Sequence, residues 1–537
     1  MHGLRRSLLT TLAATTLLMS ESDPQTLQQG LPHDTEDYRP AFHFSPEKNW
    51  TNDPNGLVFF GSEYHLFYQY NPFGDVWGHM SWGHAVSRDL VSWRQLPVAL
   101  PEENGTMIFS GSAVVDWKNT SGFGKNGIPP LVAIYTGHRP GLQNQNIAYS
   151  TDSGRSWVKY AENPVLDIHE AEFRDPMVFW YAPKSRWVMV VSMAKEHRIR
   201  FYSSANLKTW KVSGEFGPAG ATDVPNWECP NLFPLQDPRG QQKWVLAVGV
   251  GKGGPAKGSA TQYFVGDFDG EKFVNDAPAN RTLWIDLGAD FYAAQTWSDI
   301  PREDGRRIML AWMNNWDYAD KVPTHPWRGQ MTFPRKLALA DTEDGLRLTQ
   351  NPVREIESLR QNHVALRNAR WSDLEGLLAR KKWPATLEIV AKLQLHGTRD
   401  VAFELRKGPA HATRVGYDAK RNTYYIDRTR SSNALSGSEF ASRHEAPSLS
   451  RDGLIQLHIV LDRSSVELFG NNGLVAITDL IFPERSDNGT GAYVDGDPPK
   501  IIWLDMWTLQ DNRFAIEESR GVIKGEKSAM RDRYSYR

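Results

Sequence analysis

Short apolar runs recur along most of the chain: LVFF, YHLFYQY, PLVAIYT, RWVMVVSMA, KWVLAVGVG and RIMLAWM. Clusters of Gly, Pro, Asn, Asp and Ser separate them, and helical periodicity is scarce. Runs of this kind predict strands, and their number predicts an all-β chain, either sandwich or propeller. A loose repeat favours the propeller. SRDLVSW, STDSGRSW and SSANLKTW end at Trp93, Trp157 and Trp210, which stand 64 and 53 residues apart. That spacing fits one four-stranded propeller blade.

The texture changes near residue 350. NPVREIESLRQNHVAL is charged and reads as a short helical linker, placed at 351–364. Strict alternation follows: in ATLEIVAKLQL, residues Leu387, Ile389, Ala391, Leu393 and Leu395 share one face. LIQLHIVLDRSSVELFGNNG reads as two strands around an Asp-Arg-Ser-Ser turn. These predict a β-sandwich over 365–510, followed by a charged tail at 511–537.

Polar groups placed at strand starts refine the first part. NWTNDPNGLVFF reads as a tight turn entering a strand, since Asp, Pro, Asn and Gly are turn formers. Four further segments resemble it in placement: Phe109-Ser110, Arg174-Asp175, Glu228-Cys229 and Asp290 to Tyr292. Positions 53, 110, 175, 228 and 290 are separated by 57, 65, 53 and 62 residues. Five equivalent positions on inner strands imply a five-bladed propeller over 38–350, with three carboxylates converging at one mouth of its channel.

Three converging acids suit glycoside hydrolysis, which needs a carboxylate nucleophile and a carboxyl proton donor. Glu228 lies in a neutral, apolar run between Trp227 and Cys229-Pro230, which would raise its pKa and make it the acid/base candidate. Arg174 beside Asp175 favours an ionised carboxylate that stabilises positive charge, leaving Asp53 as nucleophile. Cys229, the one cysteine, has no disulfide partner and reads as a small buried residue.

Composition narrows the alternatives. With 61 basic and 63 acidic residues, the net charge of −2 offers no basic face for nucleic acid. Nothing resembles a Cys/His metal cluster, a phosphate-binding loop or a serine nucleophile elbow, so no metal or cofactor is expected. The start, MHGLRRSLLTTLAATTLLMSESDPQ, has a basic head and a short apolar stretch, and predicts a secretory signal over 1–22. No later run is apolar enough to cross a membrane. Sequons at Asn49, Asn104, Asn119, Asn280 and Asn488 agree with a secreted product.

The motifs resemble glycoside hydrolase family 32, the invertases, exo-inulinases and levanases. NDPNG at 52–56, YHLFYQYNP at 64–72, WGHMSWGHAVSRDLVSW at 77–93, FSGSA at 109–113, FRDP at 173–176, WECPNLF at 227–233, GADFYAA at 288–294, WMNNW at 312–316 and LDRSSVELF at 461–469 carry the likeness. The resemblance implies a five-bladed propeller plus sandwich and a retaining, exo-acting β-fructofuranosidase cutting sucrose and fructans. It assigns Asp53 as nucleophile, Glu228 as acid/base and Asp175 as transition-state stabiliser. Asn52, Gln69, Trp77, Phe109, Ser110, Arg174 and Trp316 become substrate contacts. A fructosyltransferase would keep the same acids, and a non-catalytic fructan-binding protein would keep the fold.

Two positions depart from the family pattern. Thr51 stands where relatives usually have Met or Leu, and it completes a sequon at Asn49 that is expected to stay unmodified beside the cleft. His79 replaces a small residue or an amide, with an expected effect on leaving-group preference.

Overall fold

The computed structural model describes residues 35–512, apart from 436, 438 and 450–452. The expected signal segment and all but the first two residues of the expected tail therefore lie outside the described residues.

Five antiparallel sheets follow one another in chain order, each led by an inner strand: Asn49–Phe60, Met107–Val115, Phe173–Tyr181, Trp227–Gln236 and Tyr292–Thr296. These are the blades of a five-bladed propeller. Trp327–Arg328 pairs in parallel with Asn49–Trp50, joining the last blade to the first. Apolar side chains fill the gaps between neighbouring sheets; Val188, Val190 and Ile199 of the third blade pack with Leu232, Leu246 and Val248 of the fourth. Burial of such faces is the main favourable term in assembling the ring.

The Trp repeat marks one turn in three blades. After the third strand, Ser87, Ser150 and Ser204 bond Asp89, Asp152 and Asn206, whose side chains accept backbone N–H groups of the turn. Each indole N–H then donates to the carbonyl three residues back, Trp93 to Leu90, Trp157 to Gly154 and Trp210 to Leu207, at 3.0–3.2 Å.

Two sheets of six and five strands form the C-terminal sandwich. Leu387, Ile389, Ala391 and Leu393 are buried between them, as the alternation predicts. The segment expected as a helical linker is a 3-10 helix, Arg354–Leu359, followed by the strand Arg360–Arg370, which pairs with the strand Lys500–Leu509. An α-helix that strand periodicity did not predict, Trp371–Arg380, buries Trp371, Leu374 and Leu378 against the sandwich.

The LDRSSVELF motif clamps the two parts together. Asp462 accepts the backbone N–H groups of Ala41 and Phe42, and the His43 ring bridges Asp462 at 2.7 Å and Glu467 at 2.9 Å. Burial opposes the charged imidazole, but these two carboxylates win and push its pKa up to about 9. Fully buried Arg335 ties Glu467 to Asp286 and lies between the rings of Phe291 and Phe469.

Candidate active site

Each inner strand carries a bulge at the same level. Between Thr51 and Pro54, Ile108 and Gly111, Arg174 and Met177, Glu228 and Asn231, and Tyr292 and Gln295, the inner strand advances three residues while its partner advances two. An extra residue breaks the alternation of side chains and re-aims them. This is why adjacent residues, such as Asn52 with Asp53 or Arg174 with Asp175, line one cavity. Asp175 and Cys229 adopt left-handed φ values of 66° and 49° to make the bulge. NWTNDPNGLVFF is accordingly one bulged strand rather than a turn before a strand. Pro54 sits where the ladder is interrupted. Gly56 has a φ of 54°, and a Cβ there would lie 2.7 Å from Phe67.

The bulges surround a cavity of about 220 Å³. It is lined by the three acids Asp53, Asp175 and Glu228, by all seven anticipated contacts (Asn52, Gln69, Trp77, Phe109, Ser110, Arg174 and Trp316), and by Tyr292. A larger surface cavity of about 480 Å³, beside Arg39–Ser45 and Trp93, contains none of these acids.

Hydrogen bonds fix the acids differently. Asp53 accepts from Ser110 Oγ at 2.7 Å through Oδ2 and from Asn52 Nδ2 at 3.0 Å through Oδ1; Asn52 is in turn held by Trp50. Asp175 Oδ2 accepts the Cys229 backbone N–H at 2.9 Å. Glu228 accepts from Arg174 Nε at 2.9 Å and from the Tyr292 hydroxyl. Gln69 donates to the Ile108 carbonyl, which steadies the strand before Phe109. Trp316 stacks on Trp50 with ring centres 6.0 Å apart, and Phe109 meets Trp77 edge-on.

The family descriptions "Glycosyl hydrolases family 32 N-terminal domain" and "Glycosyl hydrolases family 32 C terminal" match residues 43–352 and 355–508. The chain belongs to glycoside hydrolase family 32. A levanase of Bacillus subtilis is 48% identical over 482 residues, covering 88% of this chain and 71% of that protein. An extracellular exo-inulinase of Aspergillus niger is 41% identical over 510 residues, covering 88% and 94%. Among solved structures, an exo-inulinase from Aspergillus awamori aligns with a TM-score of 0.82 at 37% identity, over 88% of this chain and 99% of that one. A fructofuranosidase from Schwanniomyces occidentalis, complexed with fructose, aligns at 0.80 and 33%, over 89% and 99%. The protein is thus a glycoside hydrolase on the propeller-plus-sandwich fold.

Three features of this family 32 site were not evident from sequence. Tyr292, not Asp290, is the fifth blade's contribution. Asp290 turns away from the channel to Tyr318, at 2.7 Å, and to Arg428 of the sandwich, at 2.8 Å. Cys229 is buried as expected, but its Sγ lies 3.3 Å from Asp53 Oδ2 and 3.6 Å from Asp175 Oδ2. Burial, aided by the three carboxylates, holds its thiol well above the ordinary range, so it stays protonated and donates weakly to both. Glu228 does not see the apolar surroundings implied by its sequence neighbours; its carboxyl lies between a guanidinium and a phenol.

The departures from the family pattern are also placed. Thr51 is buried and its hydroxyl donates to the Gln69 carbonyl at 2.9 Å, while Asn49 is half-buried. His79, two residues beyond the cavity-lining Trp77, is exposed and pairs with Glu102 at 2.7 Å.

Burial pushes the Asp53 carboxyl up, with Glu228's charge adding and the Ser110 and Asn52 hydrogen bonds opposing. Asp175 is pushed up to about 7: burial dominates, Arg174 opposes it, and the Glu228 and Asp53 charges add. Arg174 therefore only partly offsets the effect of burial on Asp175. A carboxyl that holds its proton more tightly when folded than when unfolded loses stability as pH rises from about 4 to about 7. Asp175→Asn, which never ionises, should be more stable than the parent at pH 8 by on the order of 4 kcal/mol, about three pH units at about 1.4 kcal/mol each. The difference should fade towards pH 4, and denaturant unfolding across that range measures it. Equal stability at pH 8 would contradict the assigned environment.

Proposed function

We propose that the protein is a retaining exo-β-fructofuranosidase that releases fructose from the non-reducing ends of sucrose and fructans. The observation that carries this reading is the shared cavity, in which Asp53 and Glu228 face one small space from separate blades and in different hydrogen-bond settings. Asp53, oriented by Ser110 and Asn52, attacks the anomeric carbon. Glu228, between Arg174 and Tyr292, protonates the departing oxygen and then takes a proton from the incoming water. Asp175 bonds ring hydroxyls and offsets the positive charge of the oxocarbenium-like transition state. Asn52, Gln69 and Ser110 supply polar contacts to a single fructosyl unit, and Trp77, Phe109 and Trp316 supply apolar faces.

A cavity of about 220 Å³ suits a single terminal fructosyl unit, which supports exo-action. The relatives are named levanase and extracellular exo-inulinase, so export and action on fructan polymers belong to the same proposal. No helix among the described residues is long and apolar enough to cross a membrane. Incubation with sucrose, inulin and levan, with products resolved over time, tests the reading. Fructose should be the first product from both polymers. Early oligosaccharides would overturn exo-action, and kestose-type products as the main outcome from sucrose would favour transfer over hydrolysis.

A further inference from the structure

The loop that brings Trp77 to the cavity carries more apolar surface than a single-unit pocket needs. Phe73 is 76% exposed, Val76 56% and Trp77 46%. These are three of the nine large apolar side chains left exposed among the described residues, and they fall within five consecutive positions. Such clustering marks a contact surface, whereas scattered exposed apolar residues do not.

The loop is also rigidly held. Asn71 accepts the Phe73 N–H at 2.9 Å and donates to the Val76 carbonyl at 2.8 Å. The Gly74 carbonyl accepts from Trp50 N at 3.0 Å, next to the site-lining Asn52. Asp75 is anchored by His325 and Arg328. The Phe73 ring meets the His79 ring edge-on at 5.3 Å, and Glu102 fixes His79 through Nδ1. An exposed aromatic ring held in this way is pre-organised for a ligand, which lowers the ordering cost of binding.

We propose that this loop is a polymer-binding platform: Trp77 flanks the first leaving unit, and Phe73 with Val76 receives the second leaving unit of a fructan, held in place by His79. The proposal rests on the fructosidase reading above. Once the terminal unit fills the cavity, the remaining chain must cross the rim. The C–H faces of its furanose rings suit an aromatic ring and a small apolar neighbour. A disaccharide has one leaving unit and ends before Phe73, so the platform selects fructans over sucrose.

The test is steady-state kinetics of Phe73→Ala on inulin and on sucrose, with Val212→Ala as an exposed apolar control on the outer strand of the third blade. Phe73→Ala should lower kcat/KM on inulin by about 5-fold, mainly through KM, and change sucrose hydrolysis by less than about 2-fold. His79→Ala should lower inulin hydrolysis by a smaller factor and again spare sucrose, and Val212→Ala should move neither. Unchanged inulin kinetics, or an equal loss on sucrose, would overturn the platform. If the parent protein frees no fructose from either substrate, the fructosidase reading itself fails, and the platform falls with it.

Discussion

Asp53→Asn should abolish fructose release, with kcat falling by ~10⁴-fold or more on every substrate. The amide keeps the shape and can still meet Ser110 and Asn52, which bond Asp53 at 2.7 and 3.0 Å. It cannot form the covalent bond to the anomeric carbon that divides the reaction into two easier steps. The protein should fold normally. Removing a buried carboxyl whose pKa burial raises relieves a cost of folding, so its stability at neutral pH should match or exceed that of the parent. Loss of activity with retained stability separates a chemical role from a structural one. A folded Asp53→Asn protein with parental rates on sucrose would remove Asp53 from the mechanism.

Glu228→Gln should lower sucrose hydrolysis by about 10²–10⁴-fold, the usual contribution of general acid–base catalysis. Its signature is dependence on the leaving group. An aryl β-fructofuranoside with an acidic phenol departs with little protonation, so formation of the fructosyl–enzyme should be almost unaffected. Breakdown of that intermediate still needs a base for water, so a rapid burst of phenol should precede a slow steady state. The amide nitrogen also replaces one acceptor facing either Arg174 or Tyr292. Rebinding of Arg174 to Glu172 and Gln143, which it already contacts, limits the structural consequence. An equal loss on sucrose and on the activated fructoside would contradict the acid role.

The fold was legible because propeller blades are local. Each blade closes within consecutive strands, so apolar runs and turn residues recur in chain order, and the Trp93, Trp157 and Trp210 turns repeat the same bonds. The acids were legible for a related reason, since they sit on inner strands, those of the first, third and fourth blades, at blade-length intervals. The bulges were not. Which of two neighbouring side chains faces the channel depends on where the extra residue is inserted, and left-handed Asp175 and Cys229 give no signal in the residue types around them. The three acids in fact occupy three different places within their bulges. Glu228 stands at the first bulge position, Asp175 at the second and Asp53 at the third.

Asp290 shows the opposite error. Its spacing matched the series, but its partner Arg428 lies 138 residues further along, in the sandwich, and no local pattern reveals that contact. The signal for Tyr292 was present in the same segment, as a hydroxyl-bearing aromatic beside the expected position. The sequence neighbours of Glu228 are not its spatial neighbours; Arg174 and Tyr292 bond its carboxyl. Trp227 is buried in the apolar core between the third and fourth blades and the Cys229 thiol turns to Asp53 and Asp175, while Arg174 reaches the Glu228 carboxyl from the adjacent blade. The expected helical linker is in part a 3-10 helix, Arg354–Leu359, which carries three of the segment's four charges, and from Arg360 the chain is a strand that pairs with Lys500–Leu509, far along the sequence.

Asp53 attacks the anomeric carbon from the face opposite the leaving group, and water later displaces it from the face that group vacated, so the β configuration is retained. The most direct measurement is methanol trapping. Early in the reaction of the parent enzyme with sucrose in aqueous methanol, the methyl fructofuranoside formed does not mutarotate, and NMR reads its anomeric configuration. Double displacement predicts methyl β-D-fructofuranoside. The α-anomer as the first product would show single displacement and contradict a nucleophilic Asp53.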